Sequence, residues 1–455
     1  MIVMKFGGTS VESAAAMERI AGIVGSYAHR KPLVVVSAMG KTTNRLLAAA
    51  DKAAAGNVED ALRDAEELRA FHRKEGGAAV PAESLGTLNA LLETHFGELE
   101  VTLEAIAKAG EVTAALWDEV CSCGERLSSS IVALAFPKFG VAARHLDARS
   151  VLVTDSRHGQ ALPLYSRTYQ RFAEKAAPMV EESVVVMGGF IGATVDGVTT
   201  TLGRGGSDFS AAIAGAGLGA EEIQIWTDVD GMLTCDPRVL AGGHLVRHIS
   251  FVEAAELAYF GAKVLHPATV LPAIEKNIPV RILNSRRPEV EGTLIVSEPV
   301  PCTNFVKSIA CKKDITVVSI RSLRMLMAHG FLRRIFEVFD RYRTPVDMVS
   351  TSEVSVSLTI DQTRFLSDIE AELSKIAEVT VLPNQAIICL VGDALRETSG
   401  VAERIFSAIK DVNIRMISQG ASLMNVSLVV DGADLVRAVD ALHREFFTVL
   451  DPEVF

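Results

Sequence analysis

The sequence lacks several features that would place the protein in a large functional class at once. Lys and Arg total 45 against 56 Asp and Glu, giving a net charge of −11, so there is no basic excess for nucleic-acid phosphates. No run approaches the roughly 20 apolar residues of a membrane span. The N-terminus shows no basic segment followed by an apolar one, which argues against a signal peptide. We therefore expect a cytoplasmic protein without nucleic-acid or membrane partners.

Cysteines are also few for the length of the chain. Six of them are scattered over 455 residues, which favours free thiols over a disulfide framework. Cys121 and Cys123 have no second pair at the spacing of a zinc site, so no metal ligand is predicted. Hydrophobic residues make up 49% of the chain, enough for a large core and smaller ones.

The first part of the chain alternates short apolar runs with helical patterns. Apolar, β-branched runs of this kind are typical of strands buried on both faces, and alternation with helices favours a mostly parallel α/β sheet covered on both faces. The strand runs are at 33–37, 184–187 and 224–227, and the helical segments are at 14–27 and 207–216. Two long polar-faced helices, over 45–74 and 81–109, are predicted as an insertion.

The pattern changes near residues 297–301, where two prolines close together favour a linker. Beyond it, strands and helices follow the βαββαβ order of a ferredoxin-like unit, and the order then starts again. We therefore expect a first domain over 1–297 and a second region over 298–455, with units at about 314–385 and 386–455. The second unit lacks a final strand, and strand 305–310 is predicted to complete it.

Two glycine-rich turns between a strand and a helix carry the strongest chemical signal. In Lys5-Phe6-Gly7-Gly8-Thr9-Ser10-Val11, the glycines allow backbone N–H groups to approach a phosphate, and Lys5 offers a cation to a transferred phosphoryl group. In the second turn, Arg204 stands between glycines at a helix start, which suits a bidentate grip on a carboxylate. Each turn alone is also compatible with an ordinary structural role.

Two other phosphate-binding patterns fail. Gly40-Lys41-Thr42 resembles the end of a Walker A loop, but Val35 occupies the position of its first glycine. No Gly-x-Gly-x-x-Gly follows a predicted strand, so a nicotinamide-binding fingerprint is absent.

A series of motifs in order along the whole chain resembles the aspartate kinases (aspartokinases), in particular the lysine-inhibited, single-function branch with two C-terminal ACT repeats. The motifs are Lys5 to Val11, Val36-Ser37-Ala38, Gly124-Glu125, Gly188 to Gly192, Leu202 to Asp208, Trp226 to Gly231, Asp236-Pro237-Arg238 and Gly261 to Pro267. This resemblance implies an amino-acid-kinase fold plus two ferredoxin-like ACT units. It also implies phosphorylation of the L-aspartate side chain by ATP, with Mg²⁺ carried on the ATP phosphates.

The resemblance also implies roles for individual residues. Lys5 and Asp208 would be catalytic, Asp208 orienting Lys5 and the substrate amine. Glu125 would take the α-ammonium of aspartate and Arg204 its α-carboxylate. The implied aspartate-binding residues are Thr43, Glu125, Arg204, Gly205, Gly206 and Ser207. The implied nucleotide-binding residues are Lys5, Phe6, Gly7, Gly8, Thr227, Asp228, Arg238, Lys263 and Val264.

For the C-terminal region the resemblance implies an amino-acid effector, with lysine favoured over threonine because Asp347 and Glu353 offer two anions to two ammonium groups. ACT units usually bind effectors between copies, so a homodimer or a dimer of dimers is implied. The implied effector residues are Met325, Phe331, Leu332, Val346, Asp347, Ser352 and Glu353. A structural ferredoxin-like domain without an effector remains an alternative for this region.

Two other functions remain open at this stage. A kinase of the same fold could use another acceptor, such as glutamate or an acylated amino acid, although Gly124-Glu125 and the paired ACT units favour aspartate. A catalytically inactive amino-acid sensor is disfavoured, because Lys5, Glu125, Arg204 and Asp208 are all present. Since the chain ends after the ACT repeats, we expect no homoserine dehydrogenase domain.

Overall fold

The computed structural model describes residues 1–261, 265, 267–322 and 329–455. Its strands are β1 Ile2–Phe6, β2 Pro32–Val36, β3 Ala143–Leu146, β4 Val184–Gly188, β5 Ile191–Ala193, β6 Thr199–Thr201, β7 Glu222–Thr227, β8 Met232–Leu233, β9 Leu245–Val246, β10 His248–Ser250, β11 Val280–Asn284, β12 Thr293–Val296, β13 Ser308–Arg321, β14 Val349–Thr351, β15 Ser355–Ile360, β16 Glu378–Val391, β17 Ile414–Gln419 and β18 Asn425–Asp431.

The α-helices are α1 Ala14–Ser26, α2 Thr42–Ala54, α3 Val58–Ala79, α4 Leu85–Ala109, α5 Ala114–Ala135, α6 Tyr165–Arg171, α7 Ala177–Glu182, α8 Gly206–Leu218, α9 Phe251–Tyr259, α10 Leu271–Glu275, α11 Phe331–Arg341, α12 Leu366–Leu373, α13 Val401–Ala408 and α14 Leu435–Phe446. Among the described residues, no helix is long and apolar enough to cross a membrane. All six cysteines are free, as the sequence predicts.

The chain divides into two compact units. The first comprises Met1–Gly231 and Leu265–Ser297, and the second comprises Met232–Val264 and Glu298–Phe455.

Seven strands of the first unit form one sheet in the order β12-β11-β7-β1-β2-β4-β3. Its pairs are parallel except for antiparallel β11 and β12. Strands β1, β2 and β4 are almost entirely buried, because helices cover both faces of the sheet, and their side chains are apolar apart from that of Lys5. Since the strands are parallel, the carboxyl ends of β1, β2, β4 and β7 lie at one edge, where α/β proteins usually bind ligands.

Helices α2, α3, α4 and α5 pack on one another beside this sheet, and α5 also lies against β3 and β4. The single helix predicted over 45–74 is wrong, because α2 ends at Ala54 and α3 begins at Val58. Gly56 has φ +84°, a left-handed conformation that ends the first helix and reverses the chain. Apolar side chains of the four helices join the core of the sheet, which extends from Phe6 to Leu92 and Ile131.

The second unit contains one antiparallel sheet in the order β14-β15-β13-β16-β18-β17. This sheet consists of two ferredoxin-like halves, and each of the long strands β13 and β16 forms part of both. Residues 316–321 of β13 pair with β15, and residues 308–312 pair with 387–391 of β16. The order β14-β15-β13-β16 in the first half therefore matches β17-β18-β16-β13 in the second. The predicted fold class, a kinase-type α/β domain with two ferredoxin-like units, is confirmed.

Residues 232–259 also belong to the second unit and are tied to it by buried polar contacts. Glu253 of α9 and Lys307, which precedes β13, are both fully buried, and Lys307 Nζ lies 2.9 Å from Glu253 Oε1. The other oxygen of Glu253 accepts from the Ser250 amide at 2.8 Å, forming the capping box of α9. Ser422 Oγ and Asn425 Nδ2 donate to Glu256 at 2.7 and 2.6 Å.

Candidate active site

Lys5 lies near the end of the central strand β1 and is paired with an aspartate on α8. Its Nζ is 2.7 Å from Asp208 Oδ1, and both side chains are largely buried. Asp208 stands in the first turn of α8, where the positive end of the helix dipole favours a carboxylate. The pair therefore fixes a primary ammonium at the carboxyl edge of the sheet.

The loops that follow β1 and β2 are held together through backbone atoms. Gly40 N donates to Gly8 O at 2.9 Å, and Ser37 N donates to Phe6 O at 3.2 Å. A Cβ on Gly8 would lie 2.7 Å from the Ala38 carbonyl oxygen, which is closer than real side-chain carbons approach, so this position requires glycine. The Phe6 side chain is fully buried and stacks on Trp226 at 5.8 Å, so only the Phe6 backbone is available to a ligand.

Glu125 on α5 is a buried carboxyl group that forms no ion pair with any residue in the described part of the chain. It is 4% exposed, and Ala38 N donates to its Oε1 at 3.3 Å, whereas Oε2 is buried and has no hydrogen-bond partner among the described residues. Burial raises the pKa of Glu125 to about 8, although the Ala38 amide acts in the opposite direction. A buried carboxylate with one unsatisfied oxygen is suited to receiving an ammonium group.

The turn before α8 places a cation beside the same edge of the sheet. Gly203 and Gly205 have φ values of +79° and +72°, and Gly205 is the N-cap of the helix. This left-handed backbone favours glycine and leaves Arg204 between them exposed. Ser37 Oγ donates to Ser207 Oγ at 3.0 Å, so the turn is connected to the loop after β2.

These loops surround a cavity of about 1030 Å³. Eight of the residues singled out from the sequence line it: Lys5, Thr43, Glu125, Arg204, Gly205, Gly206, Ser207 and Asp208. The structure thus brings the predicted catalytic pair together with all six predicted aspartate-binding residues. Phe6, Gly7, Gly8, Thr227 and Asp228 do not line this cavity.

Several residues of the cavity wall were not predicted as site residues, among them Trp117, Arg157, His158 and Phe190. Trp117 and Phe190 pack edge to face with ring centroids 6.3 Å apart, forming an apolar part of the wall. Phe190 stands within the Gly188 to Gly192 motif, and its φ of +66° is unusual for a bulky residue. Trp117 and His158 carry no local pattern, because only the folded chain brings them to the cavity.

Asp118 anchors the loop that contributes His158. This aspartate is fully buried, and His158 Nδ1 lies 2.7 Å from its Oδ2. Gly159 N donates to Asp118 Oδ1 at 3.0 Å, and Thr201 Oγ1 donates to the same oxygen. The loop therefore has a fixed conformation beside the cavity.

The residues predicted to bind nucleotide are less fully described. In the first unit, Thr227 ends β7, and its hydroxyl donates to Asp228 Oδ1 at 3.3 Å. In the second unit, Arg238 donates from Nε and Nη2 to Asp236 at 3.0 and 2.8 Å, and its side chain is 73% exposed. Lys263 and Val264 lie outside the described residues.

The predicted effector residues fall in the first ferredoxin-like half of the second unit. Phe331 is buried in the core of that half, Val346 packs against the same core, and Leu332 is 42% exposed. Ser352 Oγ and Ser355 Oγ are 2.7 Å apart in the turn before β15, where Glu353 is exposed. Met325 lies outside the described residues.

Asp347 has a partner that the sequence did not reveal. Lys312 Nζ lies 2.7 Å from Asp347 Oδ1 and 2.8 Å from Asp361 Oδ2. Desolvation raises the pKa of Asp347, and the Lys312 ammonium opposes that rise. The second oxygen, Oδ2, is buried and no residue of the described ranges hydrogen-bonds to it, so the carboxyl group still has one oxygen to offer a ligand.

Comparison with known proteins identifies the family of the chain. Residues 1–284 match the amino acid kinase family and residues 388–446 match the ACT domain family. The lysine-sensitive aspartokinase 3 of Escherichia coli is 37% identical, and the match covers 98% of this chain and 99% of the relative. The chain belongs to the aspartokinase family.

Two crystal structures of E. coli aspartokinase III support the family assignment. The complex with lysine and aspartate, described as the T-state, has a TM-score of 0.86 at 36% identity, covering 98% of this chain and 99% of that chain. The complex with aspartate and ADP, described as the R-state, has a TM-score of 0.79 at 37% identity, covering 98% and 100%. Family membership confirms the predicted fold class and the predicted enzyme class, an amino acid kinase with ACT domains.

Proposed function

We propose that the protein transfers the γ-phosphoryl group of ATP to the side-chain carboxylate of L-aspartate. The product is 4-phospho-L-aspartate, and the reaction is the first step from aspartate toward lysine, threonine and methionine. The observation that carries this proposal is the cavity that joins Lys5, Glu125 and Arg204, because these three charges match the three charges of aspartate.

The substrate can be oriented by its charges alone. The buried Glu125 carboxylate receives the α-ammonium through its unsatisfied oxygen, and the exposed Arg204 guanidinium pairs with the α-carboxylate. Thr43 and the residues from Gly205 to Ser207 border the same cavity and complete the binding site. The remaining carboxylate then points toward the phosphoryl donor.

The chemistry needs alignment more than proton transfer. The attacking carboxylate is already ionised at neutral pH, so no strong general base is required. Lys5, held by Asp208 at 2.7 Å, supplies a fixed positive charge for the transferred phosphoryl group. In this proposal the backbone of the Gly7-Gly8 loop, which follows β1, supports the nucleotide phosphates.

Magnesium belongs to the ATP substrate in this proposal. Among the described residues, no group of three or more His, Cys, Asp or Glu side chains forms a metal site. Mg²⁺ bound to the ATP phosphates supplies additional charge neutralisation for the transfer. Thr227, Asp228, Arg238, Lys263 and Val264 remain the residues proposed to contact the nucleotide.

We also propose that lysine inhibits the enzyme by binding at the first ACT half. Support comes from the unsatisfied Asp347 oxygen and the exposed Glu353, since lysine carries two ammonium groups. The E. coli relative was crystallised with lysine. A homodimer or dimer of dimers, cytoplasmic location and the residue ranges of the catalytic and regulatory domains are further predictions from the sequence.

The proposal can be tested by identifying the product. Purified protein would be incubated with MgATP and L-aspartate, the acyl phosphate trapped with hydroxylamine, and the product separated by chromatography. The proposal expects the β-hydroxamate of aspartate and stoichiometric ADP. An α-hydroxamate would contradict the proposed orientation, and no turnover by folded protein that binds lysine would favour the sensor function.

A further inference from the structure

His158 stands in the cavity wall in an orientation that its partner determines. A carboxylate only accepts hydrogen bonds, so the ring nitrogen Nδ1 must carry the proton shared with Asp118 Oδ2 at 2.7 Å. The opposite nitrogen, Nε2, is then the ring atom left for another partner. The His158 side chain is 20% exposed and lines the cavity, so a ligand there can reach the ring.

The loop that contains His158 packs directly against the turn that contains Arg204. A Cβ on Gly203 would lie 3.2 Å from the Gly159 carbonyl oxygen and 3.4 Å from Gln160 Cγ. Ala161 N donates to Thr201 O at 2.9 Å, which joins the two segments again. His158 directly precedes Gly159, and Arg204 directly follows Gly203, so this contact lies next to both residues. Both also line the same cavity.

The hydrogen-bond donors around Asp118 differ in whether they can carry a charge, and this bears on the role of the His158 ring. Asp118 is fully buried, and its other donors, the Gly159 amide and the Thr201 hydroxyl, are neutral. Buried carboxylates are almost always balanced by a cation, and His158 is the one partner among these that can carry positive charge. When the ring is protonated, it presents an N–H donor at Nε2, opposite the nitrogen that Asp118 holds.

We infer that His158 is a second contact for the α-carboxylate of the amino-acid substrate, beside Arg204, and that Asp118 positions its ring. The inference rests on the proposed function, because it takes aspartate as the occupant of the cavity. With Glu125 on the ammonium and both Arg204 and His158 on the α-carboxylate, the α-carbon is fixed at three points. The side-chain carboxylate is then directed toward Lys5.

The test combines a substitution with a change in the substrate. Initial rates would be measured for wild type and His158→Gln with L-aspartate and with L-aspartic acid α-amide, which keeps the reacting carboxylate but has no α-carboxylate charge. For aspartate we expect kcat/KM to fall about tenfold or more, mainly through KM, as for the loss of one charge-assisted hydrogen bond. For the α-amide we expect the two proteins to agree within about twofold.

Matched variants separate a direct contact from a general loss of structure. His145→Gln, at a histidine that bonds to Ser129 away from the cavity lining, should leave both substrates unaffected. His158→Phe keeps a ring of similar size and should reproduce the loss if His158→Gln folds poorly. Asp118→Asn should give a smaller loss confined to aspartate, because the ring remains but is less firmly held.

The outcomes distinguish this inference from the proposed function. An equal loss with both substrates, or no loss with either, would overturn the role of His158 while leaving the kinase activity intact. No acyl phosphate from wild-type protein and aspartate would instead refute the proposed function itself. A loss with aspartate alone, shared by His158→Gln and His158→Phe, would establish the contact.

Discussion

Glu125 links the stability of the free protein to its binding function. Because burial raises its pKa from 4.5 to about 8, the folded state holds a proton that the unfolded chain releases at lower pH. The free energy of unfolding contributed by this group therefore falls as pH rises from about 4.5 to about 8. Such a penalty is expected at a binding group that is satisfied only when the substrate is present.

The first prediction concerns stability. Glu125→Gln removes the group that ionises, so the variant should become increasingly more stable than wild type between pH 5 and pH 8, without substrate. The difference at pH 8 should be about 1–3 kcal/mol, the usual cost of an unsatisfied buried polar group. Chemical denaturation at pH 5, 6.5 and 8 would measure it. A constant or reversed difference would show that Glu125 is satisfied in the free protein.

The second prediction concerns catalysis by the same residue. In wild type, kcat/KM for aspartate should rise toward pH 8, because the ammonium binds the ionised carboxylate. Glu125→Gln should lose about a hundredfold or more in kcat/KM and should lack this rise. Initial rates between pH 6 and pH 8.5 would test both statements. Activity of the variant close to wild type would remove Glu125 from the aspartate site.

At the scale of elements, the loops after β1 and β2 act as one structure. Gly8→Ala places a methyl group 2.7 Å from Ala38 O and 3.0 Å from Gly40 O, and both are backbone atoms that cannot rotate away. We expect the loops to separate, with at least a tenfold rise in KM for ATP and a loss of about 1–3 kcal/mol in stability. Steady-state kinetics at saturating aspartate and thermal melting would measure these effects.

A helical glycine provides the control for this substitution. Gly22 lies in α1. Apart from its chain neighbours and the backbone of its own helix, no described atom lies within 4 Å of the position that an added methyl group would take, so Gly22→Ala should leave KM for ATP unchanged. It should stabilise the protein by about 0.5–1 kcal/mol, since alanine favours helices. Equal kinetics for Gly8→Ala and Gly22→Ala would show that the close contact at Gly8 has no role in nucleotide binding.

The buried pair of Lys307 and Glu253 attaches α9 to the rest of the second unit, and substitutions in the pair test how much it contributes to stability. Lys307→Met leaves the fully buried Glu253 without its cation and should cost about 3–5 kcal/mol. The double variant with Glu253→Gln should recover part of that loss, because no buried charge remains unpaired. Denaturant titration of the four proteins would measure the coupling. Additive losses would contradict the described pairing.

Strands and helices with a continuous hydrophobic pattern were predictable from the sequence. Boundaries that depend on the backbone conformation of a single residue were not. The apolar runs of β2, β4 and β7 identified the sheet correctly, because buried parallel strands are composed mainly of apolar residues. The break between α2 and α3 was missed because the helical pattern continues on both sides of it. The break itself depends on the left-handed conformation of one residue, Gly56. The sequence predicts one strand ending at 310 and a second one after the charged residues Lys312, Lys313 and Asp314. In the structure β13 is continuous, and its pairing with β16 continues past these residues through register shifts.

The same distinction applies to the candidate site. Lys5, Arg204 and Asp208 stand in glycine-rich turns that are visible in the sequence, and the structure brings them to one cavity. Trp117 and His158 join that cavity only through the packing of α5 and the Asp118 anchor, which no local spacing encodes. The Lys312–Asp347 pair was missed for the same reason, because 35 positions separate its members.

For the whole molecule, regulation requires a coupling free energy between the effector and the substrates. The effector must bind two states of the protein with different affinity, and each state must differ in its affinity for aspartate or ATP. The net charge of −11 makes general attraction of aspartate or ATP unfavourable. Binding must therefore rely on the few cations placed in the sites.

The most direct test of the account is an ATP-dependent hydroxamate assay with L-aspartate, L-glutamate and N-acetyl-L-glutamate, each with and without lysine or threonine. We expect turnover confined to aspartate, suppressed by lysine and unaffected by threonine. Aspartate turnover that is indifferent to lysine would contradict the effector assignment but preserve the kinase. Turnover with glutamate or acetylglutamate in place of aspartate would contradict the central claim that Glu125, Arg204 and Lys5 form an aspartate site.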